Sequence, residues 1–289
     1  MSPPTKPRAS EDKRNFIKHA VKEFFNKKGV DILALGEVSS LDLEEIKDYI
    51  NDSSIILHDA TGQDKYLKFN IGVLFKKTRL RILYHKSFLD SYGKITLKLC
   101  EYIKIYSRDS ESVINIYVSH WPSRLHCPEN SPKRIEIGTA LRQKLDVIRK
   151  SSSDPQFIIL MGDYNDDPYS ISLAEHLLAT RDRELAQKND SFLYNPFWRY
   201  LGESEPFLHG KTEQGICGTY YYASGQPSRW YTFDQIMFSS AFLKEGPLTL
   251  DERYCQILRN DYLESAIKSS ESIFDHLPVM GAINIRRIT

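Results

Sequence analysis

Residues 157–168 read Phe-Ile-Ile-Leu-Met-Gly-Asp-Tyr-Asn-Asp-Asp-Pro. Asp163 and Asn165 stand just past an apolar run from Phe157 to Met161. A short apolar run bounded by turn residues reads as a buried strand, and Gly, Asn, Asp and Pro then turn the chain out of it. An acid and an amide are thereby delivered to the mouth of a sheet, where they can share a phosphate, a water or a metal ion. Other stretches repeat the delivery. The run from Asp31 closes on Gly36 and Glu37, and an alternating strand from Ile114 ends in His120, followed by Trp121, Pro122, Ser123 and Arg124. Asp234 sits inside the strand-like run Phe233–Phe238, and Asp275-His276 immediately precedes Leu277-Pro278-Val279. One such site is weak evidence, but sites on several separate strands point to one pocket collected across a sheet.

Taken in chain order, these motifs resemble the endonuclease/exonuclease/phosphatase superfamily, the metal-dependent fold of pancreatic-type DNases, abasic-site endonucleases, sphingomyelinases and inositol-polyphosphate 5-phosphatases. The resemblance runs from about Asp31 to Val279. It rests on Gly36-Glu37-Val38, Gly162-Asp163-x-Asn165-Asp166 and Asp275-His276-x-Pro278-Val279. His120-Trp121-Pro122-Ser123-Arg124, and Gly218-Thr219-Tyr220 ahead of Phe233-Asp234-Gln235-Ile236, look like its bacterial, DNase-like branch. The resemblance implies an α/β protein, a four-layer αββα sandwich of two mainly antiparallel sheets flanked by helices.

Cleaving a phosphate ester needs a cation on the phosphate oxygens, a base for the attacking water, and donors for the charge that develops. Glu37 is the expected metal ligand, because Mg²⁺ is hard and takes one or two carboxylates plus water and substrate phosphate. Mn²⁺ is a possible substitute. Asp163 is expected to orient or deprotonate the nucleophilic water, and Asn165 to donate its amide to a phosphate oxygen. The plainer alternative for this pair is an Asx turn that ends the strand. Asp166 and Asp167 fit that plainer reading and stay outside the catalytic set. An imidazole titrates near neutrality, which suits His276. Asp234, a charge that would be costly on a strand without a partner, is expected to fix its tautomer. Asp275 is expected to reach the metal or its water shell. His120 is the second histidine, donating to the phosphate or leaving oxygen. Arg124 either binds a flanking phosphate bidentately or makes a surface ion pair. Tyr194, Phe197, Trp198, Tyr200, Tyr220, Tyr221, Tyr222, Trp230 and Tyr231 either belong to the core or wall the cleft and stack bases.

With 39 basic and 38 acidic residues in 289, the net charge of +1 does not announce a nucleic-acid binder. Local basicity lies in Lys76–Arg81 and around Arg124, Lys133 and Arg134, the second set being a candidate phosphate-facing surface. Cys100, Cys127, Cys217 and Cys255 form no CxxC pair and suit reduced thiols, so the expected compartment is cytoplasmic. No apolar run approaches a membrane span, and residues 1–12 carry no signal-peptide core.

These site residues need a scaffold of strands. Phe16, Ile17, Ala20, Val21, Phe24 and Phe25 predict a helix over 11–28, with Ser10 as its cap and Gly29 as its stop. Further helices are expected over 41–51, over 133–150 and from Ser170 to about 179. Two hairpin-like strands are expected at 69–76 and 79–85, and others at 95–106, 113–119, 218–222, 230–238 and 278–285. Many strands with few helices between them do not suit a doubly wound parallel sheet. The reading divides the chain into an irregular segment 1–12 and one domain over 13–289. Superfamily members usually begin with a strand carrying a metal-binding Asn. Met1 to Asp12 are too polar and proline-rich for a strand, and Asn15 and Asn26 fall on the predicted helix. The chain is therefore expected to lack that strand. The expected activity is divalent-metal-dependent cleavage of nucleic-acid phosphodiesters. The alternatives are a phosphatase or phosphodiesterase acting on inositol phosphates, lipids or other small esters, and a catalytically weakened binding module.

Overall fold

Helix α1 (Glu11–Asn26) buries Ile17, Val21 and Phe25, one face at four-residue spacing. Gly29 then takes φ +67°, which frees the chain to turn into β1 (Ile32–Leu35). In the computed structural model, residues 9–62, 70–202, 209, 217–259, 263–264, 267–268 and 275–286 are described. Helix α2 (Ser40–Ile50) starts on a capping box, in which Ser39 and Asp42 satisfy each other's backbone amides. Strands β2 (Ile55–Asp59) and β3 (Gly72–Lys76) complete an antiparallel sheet in the order β1-β3-β2.

The chain then crosses to a larger sheet. Its long strands are β4 (Leu80–Tyr92), β5 (Ile95–Ser107) and β6 (Ser112–His120). Helix α3 (Pro132–Lys150) returns the chain for β7 (Phe157–Asp163), which pairs parallel to β6. Short strands β8 (Ala179–Thr180) and β9 (Leu193–Tyr194) flank helix α4 (Arg183–Lys188). A small ribbon of β10 (Tyr220–Tyr221) and β11 (Trp230–Tyr231) precedes β12 (Asp234–Ser239). The seven strands run in the order β4-β5-β6-β7-β12-β9-β8. Strands β13 (Leu248–Ile257) and β14 (Val279–Ile285) form an antiparallel pair.

Three apolar clusters define four layers. Val73 and Phe75 of β3 meet Ile103, Ile116, Ile159 and Phe238 between the two sheets, and Ile283 of β14 packs against the same cluster. Ile137, Leu141 and Leu145 of α3 cover Tyr117, Ile158 and Leu160 on the outer face of the larger sheet. Helices α1 and α2 cover the smaller sheet through Ile17, Val21, Ile46 and Leu74. This is the αββα sandwich.

Several sequence expectations need correction. The strands at 72–76 and 80–92 are not a hairpin: β3 pairs with β1 and β2, and β4 pairs with β5. The turn between them changes sheets, which apolar periodicity does not reveal. The helix expected from Ser170 is one wide turn, Ser172–His176. Strands β2, β8, β9 and β13 have no counterpart among the sequence expectations. Glu11 and Asp12 form the first turn of α1 rather than an irregular leader. Residues 1–8, on which most of the expected lack of a first strand falls, lie outside the described residues. Among the described residues, β1 pairs only with β3 and β14 only with β13. A cavity of about 650 Å³, lined by Val21, Ile32, Ala34, Ile116, Gly281 and Ile283 among others, runs between them.

Candidate active site

Three neighbouring strands of the larger sheet carry polar residues at one level. His120 of β6 lies opposite Asp163 of β7, and Asp163 lies opposite Asp234 of β12. Residues directly opposite one another share a face, so all three side chains gather on the inner face, at one end of the cavity between the sheets. Gly162 makes that row possible. At its φ of +141°, a Cβ would lie 1.9 Å from the Ser119 carbonyl oxygen on β6. Only a glycine lets β7 approach so closely just before the acid.

His276 closes the row from outside the sheet. Its Nδ1 lies 2.7 Å from Asp234 Oδ2, the partnership expected from sequence. Thr219 ties the pair down, its hydroxyl accepting from the Asp234 amide at 3.0 Å and its carbonyl from the Leu277 amide at 2.6 Å. Tyr220 packs its ring 4.7 Å from the His276 imidazole and 5.2 Å from Phe233. Ligand atoms of Asp163, Asp234 and His276 all lie within 4.8 Å of one another. His120 Nε2 stands 3.8 Å from Asp163 Oδ2 and 3.8 Å from Glu37 Oε1, which brings Glu37 over the same site. Glu37 is exposed and adopts φ +53°, an unusual backbone for a residue that is not glycine. Such strain persists where surrounding structure holds it; here the Val38 amide bonds to Asn70 and Ser39 caps α2.

The electrostatics separate the two acid–base groups. Burial works against a charge on His276, but Asp234 and Asp163 outweigh it and raise its pKa to about 10. The imidazole is therefore cationic at neutral pH, a proton donor rather than the neutral-range base its type suggests. Burial raises Asp163 to about 6, with His276 and His120 pulling down and Asp234 pushing up. The exposed Glu37 carboxylate, beside His120 at the edge of this row, is an oxygen ligand of the kind a hard divalent cation takes.

Other site expectations land differently. Asn165 takes φ +51° and is buried. Its side-chain nitrogen donates to Asp163 Oδ2 at 2.7 Å and to the Trp121 carbonyl at 3.0 Å, and its backbone amide donates to Asp163 Oδ1 at 2.7 Å. One side-chain amide proton thus goes to Asp163 and the other to the Trp121 carbonyl, so Asn165 is an orienting residue and not a free phosphate donor. Arg124 is also engaged: it meets Glu129 at 3.3 Å and Asp167 at 3.2 Å, donates to the Asn165 carbonyl, and lies over the Phe233 ring. Asp275 is exposed and stands outside the Asp163–Asp234–His276 cluster, acting on His276 through its charge. Asp166 and Asp167 are structural, paired with Arg134, Ser172, Arg124 and the Thr232 amide.

Several residues of the basic segments are held by internal partners. Arg134 is fully buried, donating to the carbonyls of Cys127, Tyr164 and Pro122. Lys76 and Arg79 pair with Asp31, and Arg79 also with Asp109. Asn15 and Asn26 are exposed on α1. Tyr194, Phe197 and Trp230 are core, whereas Tyr222 stays about half exposed at 51%. Sequence marks Thr219 only as part of a motif, and Tyr220 as that and as one of the aromatic cluster. Their role in fixing His276 comes from an isolated bridge between distant segments, which no local pattern marks.

A sequence description of the endonuclease/exonuclease/phosphatase family matches residues 7–272. The chain belongs to that family. No curated protein sequence matches it. Solved structures share the fold at low identity. The catalytic domain of human Nocturnin with bound sulfate is 15% identical, with a TM-score of 0.61, over 96% of this chain and 88% of that one. A mannosyl-6-phosphatase from Bacteroides thetaiotaomicron is 12% identical, with a TM-score of 0.59, over 94% and 92%. D. rerio TDP2 complexed with a single-strand DNA product is 14% identical, with a TM-score of 0.52, over 94% and 92%. Solved structures sharing this fold thus include a mannosyl-6-phosphatase and a protein complexed with a DNA product, and fold alone does not choose between such substrates.

Proposed function

We propose that this family member is a divalent-metal-dependent phosphoesterase that hydrolyses phosphodiester bonds of nucleic acid, with Mg²⁺ as its ion and Mn²⁺ as a substitute. The observation that carries the reading is the 2.7 Å His276–Asp234 pair set beside Asp163, His120 and Glu37. Glu37 would hold the cation, which when bound neutralises phosphate oxygens, leaving Asp163 and Asp234 to the water and to His276. Asp163, a carboxylate above about pH 6, holds and accepts the proton of the attacking water. Asn165 fixes the direction of that carboxylate. The His276 imidazolium, positioned by Asp234, donates to the phosphoryl oxygen on which charge develops. His120 serves the leaving oxygen, and the exposed ring of Tyr222 offers a base a stacking surface beside Tyr220.

One observation favours a second reading. Arg124 and Arg134, the basic residues after His120, are held by carboxylates and carbonyls rather than turned to solvent. A small phosphate ester needs no extended phosphate-binding rim. Incubation with plasmid, single-stranded DNA, RNA and a panel of sugar and inositol phosphates, in Mg²⁺ or EDTA, distinguishes the two. Nucleic-acid cleavage lost in EDTA supports the first reading. Turnover of small esters alone replaces it with the second.

A further inference from the structure

Outside the candidate active site, His58 of β2, His85 of β4 and Glu101 of β5 bring three ligand atoms within 4.8 Å of one another. His58 Nε2 lies 3.0 Å from Glu101 Oε1, and His85 Nδ1 lies 3.6 Å from the same oxygen. The two imidazoles meet edge to face at 4.4 Å between centroids. Glu101 is only 2% exposed, and the basic groups that reach it among the described residues are these two imidazoles. The Ser87 hydroxyl donates to its other oxygen, Oε2, at 2.7 Å. A buried carboxylate needs a partner charge, and here it is turned towards two ring nitrogens that can each give a lone pair.

The structure assigns this trio as a second metal site, one for a borderline divalent transition ion such as Zn²⁺. Ligands about 2.0–2.1 Å from a tetrahedral ion stand about 3.3 Å apart. The His58–Glu101 and His85–Glu101 separations bracket that spacing, so small side-chain rotations suffice. His85 has room to make them, its side chain being 57% exposed. The donor set of two imidazoles and one carboxylate suits Zn²⁺ and its neighbours, not Mg²⁺. Ser87 supplies the hydrogen bond that orients a ligating carboxylate. Exposure on the His85 side leaves the remaining position to water.

The placement gives the ion a purpose. His58 belongs to the smaller sheet, while His85 and Glu101 belong to the larger one. A bound ion therefore ties the two sheets together. Glu101 lies opposite Val118, two residues ahead of His120 on β6, so the tie sits on the inner face one strand from the candidate active site.

Zinc stoichiometry after equilibrium dialysis tests the assignment, measured on the full chain as wild type, His85→Ala and Glu37→Gln. Wild type and Glu37→Gln should retain the same equivalent of Zn²⁺, His85→Ala should lose it, and the Zn²⁺-induced rise in melting temperature should vanish only with His85→Ala. His85 is largely exposed, so the variant should fold, with the circular dichroism spectrum as its check; His58→Asn serves if it does not. Undiminished Zn²⁺ in His85→Ala, or loss caused by Glu37→Gln alone, would overturn the site. Mg²⁺-dependent turnover by His85→Ala should match wild type, which separates this outcome from any failure of the proposed activity.

Discussion

At the scale of residues, chemistry follows from which charges are paired and which are left over. His276 lies between Asp234 and Asp163, and its folded-state pKa of about 10 stands above the ordinary 6.5. A basic group whose pKa is raised on folding stabilises the fold fully below its unfolded value, and that contribution is lost as pH rises through the folded one. In chelator-treated buffer, the melting temperature of wild type should exceed that of His276→Gln by most near pH 6, and the gap should close between about pH 6.5 and 10. A gap that widens over that window would mean the pair is not charged. The sequence disclosed much of this site, because Asp163, Asp234 and His276 each break an apolar run at a place where a charge needs a reason. It did not disclose that Asn165 spends its amide on Asp163 or that Arg124 is held by Glu129 and Asp167. The Trp121 carbonyl that takes the other Asn165 proton and the Asp167 that holds Arg124 are distant in sequence, and residue type alone cannot tell a phosphate ligand from a satisfied ion pair.

At the scale of elements, the site depends on how closely strands approach. His120, Asp163 and Asp234 share one level because β7 lies against β6 without a side chain at Gly162. Gly162→Ala would place a methyl carbon 1.9 Å from a backbone oxygen, at a φ that L residues rarely adopt. Overpacking of this kind typically costs about 1–3 kcal/mol, and the added backbone strain places this variant at or beyond the top of that range. Urea denaturation should show the midpoint falling with the slope unchanged; an unaltered midpoint would show that the strands can part at little cost. The helices were legible from their apolar spacing and caps, with α3 predicted to within a residue of Pro132–Lys150. Strand partners were not. The chain between Lys76 and Leu80 passes from one sheet to the other, and two apolar runs joined by a short basic turn read equally well as a hairpin. β13 escaped because Asp251, Glu252 and Arg253 interrupt its apolar pattern where its pairing with β14 shifts register.

At the scale of the whole molecule, two sheets share a core that is filled between β3 and the larger sheet but open between β1 and β14. The cavity of about 650 Å³ there is lined largely by aliphatic side chains and reaches His120, Asp163 and His276 at one end. Enlarging a lining residue should therefore stabilise the fold. Ala34→Ile is expected to add about 1 kcal/mol, the usual scale of a cavity-filling gain, read as a higher denaturation midpoint; a lower one would mean that Ala34 is already in contact on all sides. The same openness leaves the site accessible from within the sandwich, and the proposed activity would rest on the few groups that line its end. The turnover number of His276→Ala at saturating substrate and Mg²⁺ tests that dependence most directly, against wild type and with circular dichroism as the folding control. A fall of about 10²–10⁴-fold, the range of a general acid–base contribution, with the fold intact, is the predicted result, and a turnover number equal to that of wild type would contradict it.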